Sequence, residues 1–416
     1  VKEKLSGFFN KLIVLELGSV LACPAVGVFF AELGARVIKI ENTKTHGDVT
    51  RSWKLPIEDN DNDISGYFSS VNWGKESLAL DISHPEGLVL LQQLVLKSDI
   101  ILVNYKPGDA SKLGTDYTSL AKLNPRLIYG HITGYGLDNP RAGYDAIIQG
   151  ESGFTFMNGE IDGPPTKLPV ALMDLLAAHQ LKEGILLALL RRDQTGQGEY
   201  VDVSLMQAGI ASLANQAANW QWSGVIPKRM GSDHPNIVPY GTIFSTADAK
   251  EIILAVGSDK QFERLCSLLG HSELATDERF HTNPARVKHR EEIKAFLRQL
   301  IAQHTRDELL TQLEREQIPA GAINNMSEVF KTEQAKSLVL RGTWPDGQVV
   351  EGVRHAAFHF HKQAVLRDHL SPPPHYGEHS RFILEEFLGV HPDEIRRYIE
   401  NKLIHDHYFP PPKNTF

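Results

Sequence analysis

Residues 11–41, KLIVLELGSVLACPAVGVFFAELGARVIKIE, decide the fold of this 416-residue chain. KLIVLELG (11–18) is an apolar run of strand length, and ARVIKIE (35–41) is a second one. Between them SVLACPAVGVFFAELG (19–34) has the length and composition of a helix, closed by Gly34. Strand, helix, strand at this spacing is a βαβ unit, whose two strands run parallel because the helix carries the chain back across the sheet. Further units follow. HPEGLVLLQQLVLKSD (84–99) is an amphipathic helix with Pro85 in its first turn, where a missing N–H costs nothing, and it feeds the strand IILVN (100–104). A helix containing Leu120 leads to the strand LIYGHI (127–132). To about residue 200 the chain therefore reads as α/β, a doubly wound parallel sheet. Ligands of such sheets bind beyond the carboxyl ends of the strands, which singles out Gly18–Pro24, Glu41–Gly47, Asn104–Gly108 and Gly134–Asp145.

After a helical stretch around Met206–Trp222 the pattern changes. GTIFSTADAKEIILAVG (241–257) reads as two antiparallel strands about a polar turn, and charged helices follow from Gln261 to Gln317, which makes a smaller α+β lobe. From Lys331 strands return, SPPPHYGEHS (371–380) is extended, and RFILEEFLG (381–389) is a last helix. The expected division is a large lobe over 1–205, a helical linker over 206–230, the small lobe over 231–330, and a return segment over 331–416.

Composition bounds the function. A hydrophobic fraction of 42% is that of an ordinary globular protein. The longest apolar helical run, GILLALL (184–190), is cut off by Arg191 and Arg192, so no membrane span is expected. With 43 Lys+Arg against 51 Asp+Glu the formal charge is -8, which argues against nucleic acid or an anionic membrane as partner while leaving room for a local basic pocket. Cys23 and Cys266, far apart and outside any CxxC, point to a reducing compartment such as the cytoplasm. VKEKLSGFF (1–9) lacks the shape of a signal peptide and does not begin with Met, so the mitochondrial matrix stays open for a processed chain. The dinucleotide fingerprint is absent. Glu41 ends the second strand where a ribose-binding acid belongs, but the preceding turn and helix carry only Gly18 and Gly27 about Pro24 rather than GxGxxG.

LPVALMDLLAAHQLKEGILLALLRRDQTGQGEYVDVSL (168–205) carries the chemistry. Leu175 to Arg192 has helical spacing, with Leu181, Ile185, Ala188 and Leu189 on one side, so the helix starts near Asp174 and a glycine-punctuated strand follows it. Helix-start donors and the macrodipole favour an ionised Asp174, which would keep it anionic at neutral pH and able to attack a carbonyl carbon. The same position suits a plain helix cap contributing about 1 kcal/mol. Sequence leaves both readings open.

Gly18, Pro24, LGARVIKIE (33–41), GKESLALD (74–81), NPRLIYGHITGYG (124–136), Asp174 and TGQGEYVDVSL (195–205) occur in the order and spacing of the class III CoA-transferase family, which includes formyl-CoA transferase, carnitine CoA-transferase and the alpha-methylacyl-CoA racemases. The resemblance continues through GSDHPNIVPY (231–240), QFERLCSLLG (261–270), IPAGAINNMSEVF (318–330) and HYGEHSRFILEEFLG (375–389), nearly the whole chain. It implies a Rossmann-like large lobe built from both chain ends, a small lobe from the middle, and an interlocked homodimer. It also implies an acyl-CoA thioester and a small carboxylic acid as substrates, no tightly bound cofactor, and Asp174 as the catalytic nucleophile. By matched motifs Leu21 and Ala22 approach the pantetheine and thiol, Asn72 and Gly74 line the nucleotide path, Asn104 and Tyr105 flank the adenine, and Lys75 and Lys112 supply charge.

Two positions depart from formyl-CoA transferase, where Arg stands in place of Glu76 and of Asn42. Asn42, Arg141 and Asp145 complete the expected CoA-contacting set, with Arg51 and Arg141 as the cations that would compensate. GSDHPNIVPY and GAINNMSEVF resemble the succinyl-CoA:glutarate branch, which implies a small dicarboxylate. Racemases carry His in the motif that here reads RAGYDAI (141–147), with Tyr144 at that place; racemization and non-catalytic CoA binding are the alternatives. Cys23 opens the first helix, where a thiolate would be stabilised, though no His pairs with it and a small packing residue is the plainer reading. His355, His359, His361, His369, His375 and His379 crowd the later chain, and His359 and His361 would share a strand face. With no HExxH and no acid cluster they are read as surface residues, and no metal is expected.

Overall fold

A computed structural model describes residues 9–361 and 365–407. The reading of the chain start concerns residues 1–8, which lie outside the described residues. The first βαβ unit forms where its pattern places it: β1 (Ile13–Glu16), α1 (Ala22–Glu32) and β2 (Arg36–Glu41). Then come β3 (Lys75–Leu80), α2 (Pro85–Leu96), β4 (Ile100–Val103), β5 (Ile128–Thr133), the long α3 (Leu172–Thr195) and β6 (Glu199–Ser204). β1 to β6 build one parallel sheet in the order 3-2-1-4-5-6. This is the doubly wound order whose ligand crevice opens between β1 and β4, where the two halves of the sheet diverge.

The central strands are buried on both faces, as parallel sheets require: all of Ile100–Val103 and Ile128–Thr133 is enclosed. Leu15, Ile38, Leu78, Ile101 and Tyr129 join Leu91, Leu94 and Val95 of α2 in one core, to which Ile395 and Ile404 near the chain end also belong.

The described residues fall into two packed units. The first draws on 9–152, 169–214, 337–361 and 365–407, the second on 153–168 and 215–336. Residues 153–168, expected in the large lobe, thus group with the second unit. That unit holds a three-stranded antiparallel sheet of β7 (Tyr240–Ser245), β8 (Glu251–Ala255) and β9 (Ala320–Ala322), with α4 (Asp259–Leu268), α5 (Arg290–Ile301) and α6 (Arg306–Arg315) around its own core. The hairpin was legible from its polar turn. β9 was not, because AGA is too short to show alternation. The helical stretch at 206–222 is two helices, Leu205–Ala211 and Ala214–Ser223, separated where Ala214 takes a positive φ of 49°.

The chain end returns to the first unit. β10 (Val339–Thr343) and β11 (Val349–Val353) form a hairpin, α7 (Pro392–Glu400) follows the segment read as the last helix, and β12 (Ile404–His405) pairs antiparallel with β3. His359 and His361 lie beyond β11 in exposed, irregular chain, which corrects their expected strand face. No helix among the described residues is long and apolar enough to cross a membrane.

Charge sits inside this sheet. Lys39 on β2 donates to Glu16 Oε1 at 3.1 Å, and Lys75 on β3 donates to both Glu16 oxygens at 2.9 and 2.7 Å, all three side chains being almost wholly enclosed. The space they need comes from Gly27 on α1: a Cβ there would stand 1.8 Å from Glu16 Oε2 and 3.2 Å from Lys75 Nζ. Gly27→Ala is therefore expected to destabilise the protein by about 2–4 kcal/mol, since a methyl group forces apart the buried Glu16–Lys75 ion pair in a site with no room to spare. Gly150→Ala, at an exposed helical glycine with nothing near its Cβ position, should be neutral or slightly stabilising. Urea denaturation of both variants measures the contrast, and equal midpoints would contradict it.

Candidate active site

Two adjoining cavities lie at the crevice between β1 and β4, and both are lined by Ser19 and Tyr105. The first, about 210 Å³, is walled by Val20, Leu21 and Ala22 before α1, Asn104 to Pro107 after β4, Gly134 after β5, Arg141 to Asp145, and Asp174. The second, about 500 Å³, is walled by Gly18, Lys39 to Asn42, Thr45 to Val49, Arg51, Ser83 and Leu113.

Asp174 occupies the first turn of α3, three residues after the N-cap Ala171, and it does not cap the helix. Asp145 does that work from another segment: its Oδ1 accepts the Met173 N–H at 2.9 Å and its Oδ2 accepts Gln149 Nε2 at 2.8 Å. The Asp174 carboxylate, 8% exposed, accepts no hydrogen bond from any described residue. The cap and the uncommitted carboxylate are thus different residues. The expectation of a readily ionised Asp174 needs correction, however. Burial, reinforced by the negative charge of Asp145, pushes its carboxyl up to about 7. Burial and the nearby Asp174 also raise the Tyr67 phenol.

Leu21, Ala22, Asn104, Tyr105, Arg141, Tyr144 and Asp145 all line the first cavity with Asp174. Asn104 ties the two halves of the sheet together: its Oδ1 accepts the Ser19 N–H at 3.2 Å and its Nδ2 donates to the Ser19 carbonyl at 2.8 Å. Arg141 is held by the Glu151 carboxylate and lies over the Tyr135 ring. Tyr144 is 63% exposed. Asn42 lines the second cavity, although its side chain is engaged locally with the Lys44 N–H.

Others are displaced from their expected roles. Lys75 and Asn72 reach neither cavity: Lys75 also donates to Asn72 Oδ1 and the Pro24 carbonyl, each at 3.0 Å, so its charge is consumed in the interior. Gly74, at a positive φ of 72°, packs against Leu370 and Ala31. Lys112 is exposed, pairs with Asp109 and lines neither cavity. Arg51 borders the second cavity, but its guanidinium binds Glu41 at 2.7 and 2.8 Å and stacks on Phe68, leaving it poorly placed to compensate for missing arginines. Burial and the charge of Glu16 push the Cys23 thiol up, opposite to an activated thiolate, so Cys23 is a packing residue. Asp63, His375 and His407 form the group among described residues able to hold a metal ion. Asp63 already accepts from His375 and from the Tyr376 N–H and lies 3.5 Å from Arg51, so a cation entering there meets a carboxylate in use and a positive neighbour.

The profile of CoA-transferase family III matches residues 9–380. The chain belongs to that family. A succinate–glutarate CoA-transferase of Agrobacterium fabrum is 41% identical over 397 residues, covering 94% of this chain and 97% of the relative. A succinyl-CoA:glutarate CoA-transferase of Mus musculus is 36% identical over 403 residues, covering 95% and 89%. The crystal structure of a CaiB/BaiF family protein from Brucella suis superposes with a TM-score of 0.80 at 40% identity, covering 91% of this chain and 99% of that one. The protein is a family III CoA-transferase whose substrate is a CoA thioester.

Sequence reasoning missed Asp48, which accepts the Val20 N–H beside the first cavity. The available signal was Lys39, a charge within the apolar strand RVIKIE, which demands a buried counter-charge.

The raised Asp174 carboxyl has a thermodynamic consequence. Between about pH 4 and pH 7 the folded family III transferase holds a proton at this site that the unfolded chain has lost, so Asp174 lowers stability progressively as pH rises through that window. Asp174→Asn is expected to be more stable than wild type, with a gap that widens by about 1.4 kcal/mol per pH unit from pH 5 to 7 and levels off above pH 8. Urea denaturation across this range checks it, and a pH-independent gap would contradict the assignment.

Proposed function

We propose that this family III transferase moves coenzyme A from an acyl-CoA donor, succinyl-CoA foremost, to a small dicarboxylic acid of the glutarate kind, with Asp174 as nucleophile. The observation that carries the reading is the enclosed Asp174 carboxylate, relieved of capping by Asp145 and left at the crevice of the sheet without a hydrogen bond from any described residue. The names of the relatives supply the donor and acceptor classes. The reaction needs no tightly bound cofactor.

The steps follow from carboxylate chemistry. One Asp174 oxygen attacks the thioester carbonyl, the C–S bond breaks, and CoA leaves as thiolate from a mixed anhydride. The thiolate then attacks the aspartyl carbonyl, releasing the donor acid and leaving an aspartyl-CoA thioester. The acceptor carboxylate attacks that thioester to give a second anhydride, and the returning thiolate takes the acceptor acyl group, restoring Asp174. Each tetrahedral oxyanion needs donors. The Met173 and Leu175 amides are taken by Asp145 and the Ala171 carbonyl, and the Gly136 amide by Thr133 Oγ1. In the first turn of α1 no side chain caps the helix, and Leu21 and Ala22 are the favoured donors. Lys106 and Arg141, the cations bordering the same cavity, suit the second carboxylate of a dicarboxylic acid. The second cavity, with Asn42, Thr45, His46 and Ser83, is assigned to the nucleotide end of CoA. Anhydrides hydrolyse readily, so the interlocked homodimer implied by the sequence resemblance would serve to keep water out.

Asp174→Asn is expected to fold and to lose CoA transfer by on the order of 10⁴-fold. Wild type incubated with succinyl-CoA should yield an adduct at Asp174 that hydroxylamine traps and mass spectrometry locates. Because attack requires the carboxylate, kcat/KM should rise with pH toward a plateau above about 7. Undiminished transfer by Asp174→Asn, verified free of deamidated protein, would sink the mechanism. A panel of organic acids offered with succinyl-CoA should give glutaryl-CoA as a leading product. A 2-methylacyl-CoA in deuterium oxide should keep its α proton, and rapid Asp174-dependent exchange would favour racemization instead.

A further inference from the structure

Val20 has φ 72°, in the left-handed region that β-branched residues avoid. It sits in the turn between β1 and α1, immediately before Leu21 and Ala22, and lines the cavity of Asp174. Backbone strain persists only where surrounding structure imposes it, and it concentrates at functional sites. Here the imposing contacts can be named. Gly18 O accepts Lys39 Nζ at 3.0 Å; Ser19 is gripped at both its N–H and its carbonyl by Asn104; the Val20 N–H donates to both oxygens of Asp48, at 3.3 and 3.2 Å. Asp48 is itself fixed. It is buried, Lys39 Nζ lies 2.9 Å from its Oδ2, and the Thr50 N–H and hydroxyl donate to its Oδ1 at 3.0 and 2.9 Å. Lys39 in turn reaches back to Glu16 at the end of β1.

We propose that Asp48 is a positioning residue for CoA transfer: its carboxylate, anchored by Lys39, holds Val20 in the left-handed conformation and so fixes the Leu21–Ala22 wall opposite Asp174. Asp48 walls the second cavity and not the first, so toward the reacting atoms it acts through the turn. Released from Asp48, Val20 relaxes toward its preferred extended region, and the start of α1 shifts relative to the reacting carboxylate. Burial alone would push the Asp48 carboxyl up; the Lys39 ammonium and the Thr50 donors outweigh it and hold the group below the usual carboxylate range, so the clamp stays charged at working pH.

The proposal rests on Asp174 as the reacting group, and a pair of substitutions keeps the two separable. Asp48→Ala should lower kcat roughly 10- to 100-fold, the scale of a misplaced catalytic wall, with the KM for succinyl-CoA changed less than about threefold. Adding Val20→Gly should regain roughly 3- to 10-fold of that kcat, because glycine enters the left-handed region without a clamp. Asp48→Asn, which keeps one accepting oxygen, should fall between and guards against a failure of Asp48→Ala to fold. Amide hydrogen exchange of the peptide spanning residues 18–25 reads the turn directly, without reference to catalysis: it should quicken in Asp48→Ala and in Asp48→Asn. Unchanged exchange there, a loss confined to KM, or a kcat loss that Val20→Gly fails to relieve would each overturn the positioning role. Full activity of Asp174→Asn would instead overturn the nucleophile, while the exchange measurement still decides the clamp.

Discussion

The ion pairs around Glu16 are the constraint on which the crevice depends. A parallel sheet covered on both faces has no water at its centre, so a lysine placed there must find an anion or lose its charge. Glu16 ends β1, Lys39 lies on β2 and Lys75 begins β3, which brings one carboxylate between two ammonium groups. Asp48 meets the second charge of this set from the loop after β2. The network consequently joins the three strands on one side of the crevice to the turn that opens α1. Gly27 has no side chain because that volume belongs to Glu16.

On the other side of the cavity two carboxylates a short distance apart in space have divided their duties. Asp145 is satisfied by the Met173 amide and Gln149, while Asp174 faces the cavity with no hydrogen bond from any described residue. A carboxylate already well solvated by protein donors makes a reluctant nucleophile. One that is enclosed, unbonded and next to a like charge has its free energy raised in the ionised state, which favours bond formation with an acyl carbon. The same environment makes the site sensitive to protonation near neutrality.

The sequence was most informative where one pattern had one structural solution. Apolar runs in 11–41, 84–104 and 127–132 were long enough to be strands or helices and became β1, α1, β2, α2, β4 and β5. Short elements escaped. β9 and β12, of three and two residues, exist because their neighbours offer backbone partners rather than through any preference of their own. In the site, Leu21, Ala22, Asn104 and Asp174 could be anticipated because they follow strands or begin helices. The fate of individual cations could not. Lys75, Lys112 and Arg51 look alike on paper as phosphate ligands, and only tertiary packing shows one buried under a helix, one paired at the surface and one locked to Glu41. The helix-start argument for Asp174 failed in one respect for the same reason: a dipole can be read from the chain, whereas enclosure and the proximity of Asp145 cannot.

The pairing of β12 with β3 orders events during synthesis. β3 is an outer strand of the parallel sheet until His379 and Ser380, which bond the Ser77 and Ala79 backbone, and residues 404–405 arrive, and all of these are made only after the entire second unit has left the ribosome. During that interval β3 presents unpaired backbone donors and acceptors beside an apolar surface, the arrangement that invites pairing with another chain. Leu403 and Ile404 cover that surface, and the Leu403 carbonyl accepts the Asp81 N–H just beyond the strand. A nascent chain that stalls or is clipped before residue 377 would therefore carry an open, adhesive edge.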